Sequence, residues 1–188
     1  MLRTALHIAA ARGYRDVIDE LTGAHLDARD RKSKTPLHYA TASIREEEDE
    51  LWDGPGSVEL LIDAGADVNV LDATYMAPLH YAARNGDIAI VNALLAAPDV
   101  QIDIETDDQT TPLLCAAQSG SEEVVQVFLA AGANLHAAGT VGYTALHFAA
   151  ETGEAAPVRV VNNLWNKDVC SCNYYGLVRT SYLCTKTI

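Results

Sequence analysis

Histidine and cysteine are the residues of this chain with the widest range of possible chemistry, and their spacing limits what they can do. A zinc-protease helix needs two histidines four positions apart, and the sequence contains no such pair. Cys170 and Cys172 lie close together, with Cys184 beyond them, but zinc takes four ligands and no histidine follows His147. We therefore expect no metal site. The six histidines are His7, His25, His38, His80, His136 and His147.

Other catalytic motifs are also absent from the sequence. Neither a phosphate-binding Walker loop nor a G-x-S-x-G nucleophile motif occurs. The stretch Gly54-Pro55-Gly56 has no Lys-Ser or Lys-Thr pair after it and stands among acidic residues, so we interpret it as a turn. We expect a chain that is not an enzyme and that uses no cofactor.

The composition indicates a folded, helical and strongly acidic protein. Apolar residues make up 49% of the 188 residues and aromatic residues only 6%, which favours helices packed through small side chains. The net charge of −13 repels phosphate backbones, so nucleic acid is not an expected partner. No apolar run is long enough for a membrane-spanning helix. Cysteines without an N-x-[ST] sequon predict the cytosol or the nucleus.

The elements that would position any site are organised by a recurring tetrapeptide. Its copies are TALH at 4–7, TPLH at 35–38, APLH at 77–80, TPLL at 111–114 and TALH at 144–147. Glycine follows nine positions after the first letter in four copies, as Gly13, Gly86, Gly120 and Gly153. The pattern resembles the ankyrin repeat, with its period of about 33 residues and its T-P-L-H-x-A signature.

This resemblance implies an all-α fold, an α-solenoid of helix-turn-helix units joined by β-hairpin-like fingers. It covers one domain, residues 1–156, in units of about 1–33, 34–74, 75–108, 109–141 and a partial 142–156. Thr35 suits a helix N-cap, Pro36 suits the first helical position, and the later glycine suits a left-handed helix end. In this family the signature histidine is structural and holds the finger to its neighbours. That role falls on His7, His38, His80 and His147.

The last part of the chain, residues 157–188, departs from the repeat. Residues 1–156 hold nine basic and 25 acidic residues, whereas residues 157–188 hold four basic and one acidic. The segment 158–165 is compatible with a second helix, but no Gly-Ala pair follows it. One interpretation is a divergent cap that shields the end of the stack. The other, which we favour, is a non-native or disordered sequence appended to a truncated array, such as a translated intron.

The second unit contains an insertion, residues 44–54, between its two helices. Its acidic run is followed by Leu51 and Trp52, which are spaced to share one side of a helix with Ile44, and Gly54-Pro55-Gly56 would end that helix. One interpretation is a tolerated loop. The other is an acidic lobe that widens the rim of the binding groove. The residues assigned to the lobe are Glu46, Glu47, Glu48, Asp49, Glu50 and Trp52.

Ankyrin proteins bind partners through their finger tips and the exposed side of their first helices, so the resemblance assigns a protein-binding surface. Tyr75 and Gln109 stand where the family commonly has a finger glycine, which Gly142 retains. Tyr39, Tyr81 and Phe148 follow the signature position and are expected in the core. The predicted surface comprises Arg31, Lys32, Ala73, Thr74, Tyr75, Asp107, Asp108, Thr140 and Val141 on the fingers, and Arg84, Asn85 and Gln118 on first helices.

Charge is unevenly distributed along the sequence. Residues 1–45 hold eight basic and five acidic residues, whereas residues 46–156 hold one basic residue and 20 acidic ones. A solenoid converts this sequence asymmetry into a spatial separation of charge. The electric field of the separated charges steers the association of charged partners. We therefore expect a monomer that binds a protein partner through a basic segment along units two to four, with no nucleic acid and no membrane.

The sequence is compatible with three hypotheses about function. The first is a non-catalytic protein-interaction scaffold. The second is a truncated or alternatively spliced fragment of a larger ankyrin protein, such as a channel or signalling enzyme, with a regulatory or anchoring role. The third is an inert truncated product that does not fold stably. Separately, Asn69 in the sequence GADVN resembles the asparagine that an asparaginyl hydroxylase modifies in ankyrin repeats.

Overall fold

The computed structural model describes residues 3–23, 25–42, 53–153 and 155–171. Helices make up most of this part of the chain, and its only β pairing is an isolated bridge between Ala138 and Thr144. The helices are α1 (Ala5–Arg12), α2 (Arg15–Leu21), α3 (Pro36–Thr41), α4 (Gly54–Asp63), α5 (Pro78–Asn85), α6 (Ile88–Leu95), α7 (Pro112–Ser119), α8 (Glu122–Ala130), α9 (Ala145–Glu151) and α10 (Ala155–Ser171).

The helices form two parallel rows. The first helices α1, α3, α5, α7 and α9 pack in succession, and the second helices α2, α4, α6, α8 and α10 do the same. Each unit therefore contacts its neighbours along the stack, as in other solenoid proteins. The predicted all-α solenoid is confirmed.

Local sequence explains where the first helices begin and end. Thr35 and Thr111 have extended backbones at the N-caps, with Pro36 and Pro112 at the start of the helices. Proline is tolerated there because its missing N–H has no partner inside the helix. Three first helices end at a glycine in the left-handed region, with φ of 69° at Gly13, 70° at Gly86 and 79° at Gly120.

Small residues let the two rows approach closely. The alanine pairs Ala82-Ala83 and Ala116-Ala117 are fully buried on the first helices, and so is Leu113. The second helices supply larger side chains, as in α8, which buries Val124, Val125 and Phe128. Tyr39 and Tyr81 are buried as expected, whereas Phe148 is partly buried against the core.

Each finger is a tight loop closed by backbone hydrogen bonds. Each finger is counted below with the unit whose first helix follows it, so the finger of the third unit is the one before α5. There Asp72 N donates to Met76 O at 3.0 Å, and Tyr75 N donates to Asp72 O at 3.0 Å. The last turn residue must adopt a left-handed backbone, as in hairpins of this length. This residue is Ser33, Tyr75, Gln109 or Gly142, with φ of 57°, 58°, 58° and 77°.

The structure corrects the interpretation of Gly54-Pro55-Gly56 as a turn that ends an inserted helix. These residues form the first turn of α4, with Asp53 as N-cap. The Asp53 carboxylate accepts from Gly56 N at 2.8 Å and pairs with Arg15 at 3.0 Å. A side chain at position 56 would overlap that carboxylate, which is why glycine is needed there.

Helix α10 extends well past the predicted repeat boundary. It runs from Ala155 to Ser171, so a boundary at 156 would cut it near its start. Val161 is fully buried, and Trp165 lies 4.6 Å from the His136 ring between centroids. The fifth unit therefore has a packed second helix. The interpretation of residues 157–188 as appended sequence stays a prediction, and residues 172–188 lie outside the described part.

Candidate protein-binding surface

The finger tips and the first helices place the predicted binding residues on the protein surface. All twelve are exposed, and none contributes to the core. Val141, at the tip of the fifth unit's finger, has 77% of its surface exposed. Neighbouring tips are also linked, since Ala73 N donates to Lys32 O at 2.8 Å and Thr140 N donates to Asp108 O at 3.0 Å. These bonds join the finger tips in two pairs, Lys32 with Ala73 and Asp108 with Thr140.

The signature histidines hold each finger to the unit before it. His38 Nδ1 accepts from Thr35 N at 3.1 Å, which fixes the tautomer, and Nε2 then donates to Met76 O at 3.0 Å. His7 and His80 make the same contact with Lys34 O and Thr110 O, each at 3.0 Å. Burial lowers the pKa of His38 to about 4, so the ring is neutral at pH 7.

The fourth unit lacks this contact because Leu114 replaces the histidine. Thr35 Oγ1 lies 2.9 Å from His38 Nδ1, but the equivalent Thr111 Oγ1 is buried and has no hydrogen-bond partner among the described residues. The histidine thus has two functions, bridging to the next finger and satisfying the N-cap hydroxyl. Both are lost together in unit four.

Two fingers are also held by a tyrosine and an aspartate. Tyr39 donates to Asp30 Oδ2 at 2.8 Å, and Tyr81 donates to Asp72 Oδ2 at 2.6 Å. Burial raises the pKa of Tyr81 to about 12, and the adjacent Asp72 carboxylate adds to this effect. The fourth unit has Thr106 and Cys115 at these places. The tyrosines were predicted as core residues, and their hydroxyl contacts were not anticipated.

Three cations lie on these tyrosines. Arg84 was predicted as a surface residue, whereas Arg3, Lys34 and all three ring contacts were not anticipated. Arg3 lies 4.5 Å from the Tyr39 ring centroid, and Lys34 lies 4.1 Å from that of Tyr81. Arg84, the third cation, lies 5.3 Å from the same Tyr81 ring. A sequence signal existed, because Arg3 and Lys34 both directly precede the signature tetrapeptide.

The charge of the exposed residues changes sign along the stack. The finger of unit two carries Arg31 and Lys32, that of unit three carries Ala73 and Thr74, and that of unit four carries Asp107 and Asp108. The first helices follow the same order, with Arg84 in unit three, Gln118 in unit four and Glu151 in unit five. The sequence asymmetry therefore becomes a gradient along one face.

Asn69 bridges two units with its side chain. Its Nδ2 donates to Asp99 O at 2.8 Å, and its Oδ1 accepts from Gln101 N at 2.9 Å. The side chain is half-buried, and both ends of its amide are occupied. Asp27 and Asp103 accept a backbone N–H from the next unit at the equivalent place.

Several predicted features lie outside the described residues. The acidic run Glu46–Glu50 and Trp52 are among them. In the parts of the chain with defined positions, no helix is long and apolar enough to cross a membrane, and no group of His, Cys, Asp or Glu could hold a metal ion.

Known proteins match this chain over most of its repeats. A model of three ankyrin repeats matches residues 52–139, and a single-repeat model matches residues 1–31. Alpha-latrotoxin-Lg1a of Latrodectus geometricus is 32% identical over 68% of this chain and 9% of its own length. The human transient receptor potential cation channel subfamily A member 1 is 26% identical over 83% of this chain and 14% of its own.

The mouse neurogenic locus notch homolog protein 1 is 30% identical over 74% of this chain and 5% of its own length. The chain thus spans between 5% and 14% of these relatives, which are all much longer proteins. Ankyrin repeats in general mediate protein–protein interactions and are non-catalytic. From the matching repeat models and the two rows of helices, the chain belongs to the ankyrin repeat family.

Proposed function

We propose that this chain is a non-catalytic, monomeric interaction scaffold of the cytosol or nucleus. Its binding face consists of the finger tips and the adjacent first helices. The observation that carries the proposal is the exposure of all twelve predicted surface residues on the finger tips and first helices. None of the twelve belongs to the core, although Thr74 and Asn85 hydrogen-bond within the chain and Arg84 lies over Tyr81.

We further propose that a basic segment of the partner binds the carboxylates of units four and five. Glu105, Asp107, Asp108 and Glu151 are all exposed there. Sequence alone placed this contact on units two to four. Arg31, Lys32 and Arg84 make the surface of units two and three locally positive, so the contact is assigned further along the stack.

A short labelled peptide of alternating lysine and glycine tests this assignment by fluorescence anisotropy. In the variant Asp107→Lys/Asp108→Lys, we expect about a tenfold loss of affinity, since each exposed charge contact contributes up to about 1 kcal/mol. The matched control is Glu59→Lys/Asp63→Lys, which makes the same charge change on the exposed face of α4. The control should change affinity by less than about twofold.

Salt provides the second readout of the same assay. Exposed charges are screened within about 8 Å at physiological ionic strength, so affinity for the basic peptide should fall as salt rises. An affinity that does not respond to salt would overturn the proposal. Equal losses in the two variants would also overturn it, because net charge alone would then explain binding. Charge reversal of Glu46–Glu50 in the same assay tests whether the insertion takes part.

The second candidate function is that of a regulatory or anchoring segment within a larger protein. The observation that favours it is that the chain covers at most 14% of the relatives reported above, one of which is a cation channel. Sequencing the gene and its transcripts across codon 157 tests it. A transcript that continues the ankyrin array into further domains supports this function. Transcripts that encode only this chain contradict it.

We also propose Asn69 as a hydroxylation site, since its sequence context resembles that of modified ankyrin asparagines. An enzyme must break the two hydrogen bonds of the Asn69 amide, so modification requires local opening at the junction of units two and three. Incubation with an asparaginyl hydroxylase should add the mass of one oxygen atom to the intact chain. The Asn69→Gln variant is the control and should gain none. An unmodified wild-type chain would contradict the proposal.

A further inference from the structure

The cations of units one to three form a regular arrangement on the binding face. Arg3 Nε donates to Tyr39 OH at 2.8 Å and its guanidinium lies over that ring. Lys34 occupies the same repeat position one unit later and lies over Tyr81. Arg84 approaches the same Tyr81 ring from its own helix. Two tyrosines thus hold three positive charges in a row, which we call the cation row.

The neighbouring carboxylates are already engaged by the fingers. Asp30 Oδ1 accepts from Lys32 N at 2.7 Å and from Lys34 N at 2.9 Å, while Oδ2 accepts from Tyr39. Asp72 is held in the same way by Thr74, Met76 and Tyr81. These carboxylates offset part of the positive charge. They do not form close ion pairs with Lys34 or Arg84 among the described residues.

The Lys34 ammonium is a half-buried charge that lies 4.1 Å from the centroid of the Tyr81 ring. Burial lowers its pKa, and the positive charges of Arg84 and Arg3 lower it further, while Asp72 and Asp30 act in the opposite direction. Lys34 and Arg84 lie over the same Tyr81 ring, at 4.1 Å and 5.3 Å from its centroid, so the two cations are close to each other. A carboxylate of a partner placed beside Lys34 and Arg84 would form charge-assisted hydrogen bonds with both side chains.

We propose that the cation row binds an acidic peptide segment of the partner, with glutamate or aspartate side chains between Lys34 and Arg84. This deepens the proposed function, because it rests on the same face binding a protein partner. The partner segment would then carry acidic residues on units one to three and basic residues on units four and five. The binding face would select both the charge and the direction of the segment.

The net charge of −13 does not prevent this contact. Packed helices lie about 8–10 Å apart, so the carboxylates of units four and five are roughly one to two Debye lengths from the cation row at physiological salt. Screening therefore reduces their repulsion more than it reduces the attraction of adjacent cations. Tip residues Arg31 and Lys32 extend the positive surface at the edge of the row.

The test is fluorescence anisotropy of the full chain with a short labelled glutamate-glycine peptide at about 0.1 M salt. We expect binding that weakens about tenfold in Lys34→Gln/Arg84→Gln, as for two lost charge contacts. The control Arg15→Gln/Arg159→Gln makes the same charge change on α2 and α10. It should weaken binding by less than about twofold. Circular dichroism confirms that both variants remain folded.

Three outcomes overturn the proposal. One is no binding of the acidic peptide to the wild-type chain. Another is an equal loss of affinity for the acidic peptide in the two double variants, because net charge alone would then explain the binding. The third is tighter binding of an oligodeoxythymidine than of the peptide, which would make the row a phosphate-binding surface. None of these bears on the lysine-glycine peptide, so failure here is distinct from failure of the proposed function.

Discussion

At the scale of single residues, the signature histidine links one unit to the next. It accepts a hydrogen bond at its own helix N-terminus and donates another to the following finger, as His38 does. Burial lowers the pKa of His38 and of His80. The family resemblance predicted a structural role for these histidines, and the contacts of His7, His38 and His80 confirm it. The unsatisfied hydroxyl of Thr111 was not predicted, because it results from the leucine that replaces the histidine three residues later, at Leu114.

The substitution Thr111→Val should raise the free energy of unfolding by about 1 kcal/mol, because it removes a buried hydroxyl without a partner. The matched substitution Thr35→Val should lower it by about 1 kcal/mol, because the Thr35 hydroxyl bonds to His38. Urea denaturation measures both values. Destabilisation of similar size in the two variants would contradict this account of unit four.

Acid should destabilise the fold through its buried histidines. The pKa of His38 is about 4 in the folded chain, below the ordinary value of 6.5, so the unfolded chain takes up the proton first as pH falls. The resulting stabilisation is complete above pH 6.5 and is lost towards pH 4. It amounts to about 3 kcal/mol for this residue. His80, whose pKa burial also lowers, acts in the same direction.

Urea denaturation between pH 7 and pH 4 measures this loss. The His38→Gln variant cannot titrate at this position, so its stability should depend less steeply on pH. Carboxylates with lowered pKa values, such as Asp53 and Asp72, begin to contribute only near their ordinary value of 3.8. Identical pH slopes for the wild-type chain and the variant would show that His38 does not carry the effect.

At the scale of elements, the sequence predicted the regular units better than their junctions. Glycine at the ninth position correctly placed the left-handed helix ends at Gly13, Gly86 and Gly120. The interpretation of Gly54-Pro55-Gly56 as a turn was wrong, because Asp53 caps a helix that begins at Gly54. The ion pair of Asp53 with Arg15 adds a contact from the neighbouring unit. Helix α10 was obscured by the loss of the repeat pattern, although its apolar residues still pack.

The finger turn gives a prediction of its own, because Gln109 holds a left-handed backbone with φ of 58°. Glycine adopts that region without strain, so Gln109→Gly should stabilise the chain by roughly 0.5–1 kcal/mol. The same substitution at Gln118, within helix α7, should destabilise it by a similar amount. Thermal and urea unfolding provide the comparison. A loss of stability at both positions would contradict the strain assigned to the finger.

At the scale of the whole molecule, the stack converts the uneven charge of the sequence into a binding face whose charge changes from positive to negative along the stack. The sequence predicted the change of sign and the residues on the finger tips. It did not predict that Lys34 and Arg84 meet on one tyrosine, because that contact joins two units and depends on how they stack. The central claim is that this face binds a segment whose charges run in one order.

The most direct measurement is paramagnetic relaxation enhancement on the full isotope-labelled chain. The probe is a peptide with glutamates at one end, a short glycine-serine spacer and lysines at the other end, carrying a nitroxide at the glutamate end. We expect strong broadening of Lys34 and Arg84 and weaker broadening of Asp107 and Asp108, with the order reversed when the nitroxide moves to the lysine end. Equal broadening from both positions, or broadening centred on Glu59 and Asp63 of α4, would contradict the central claim.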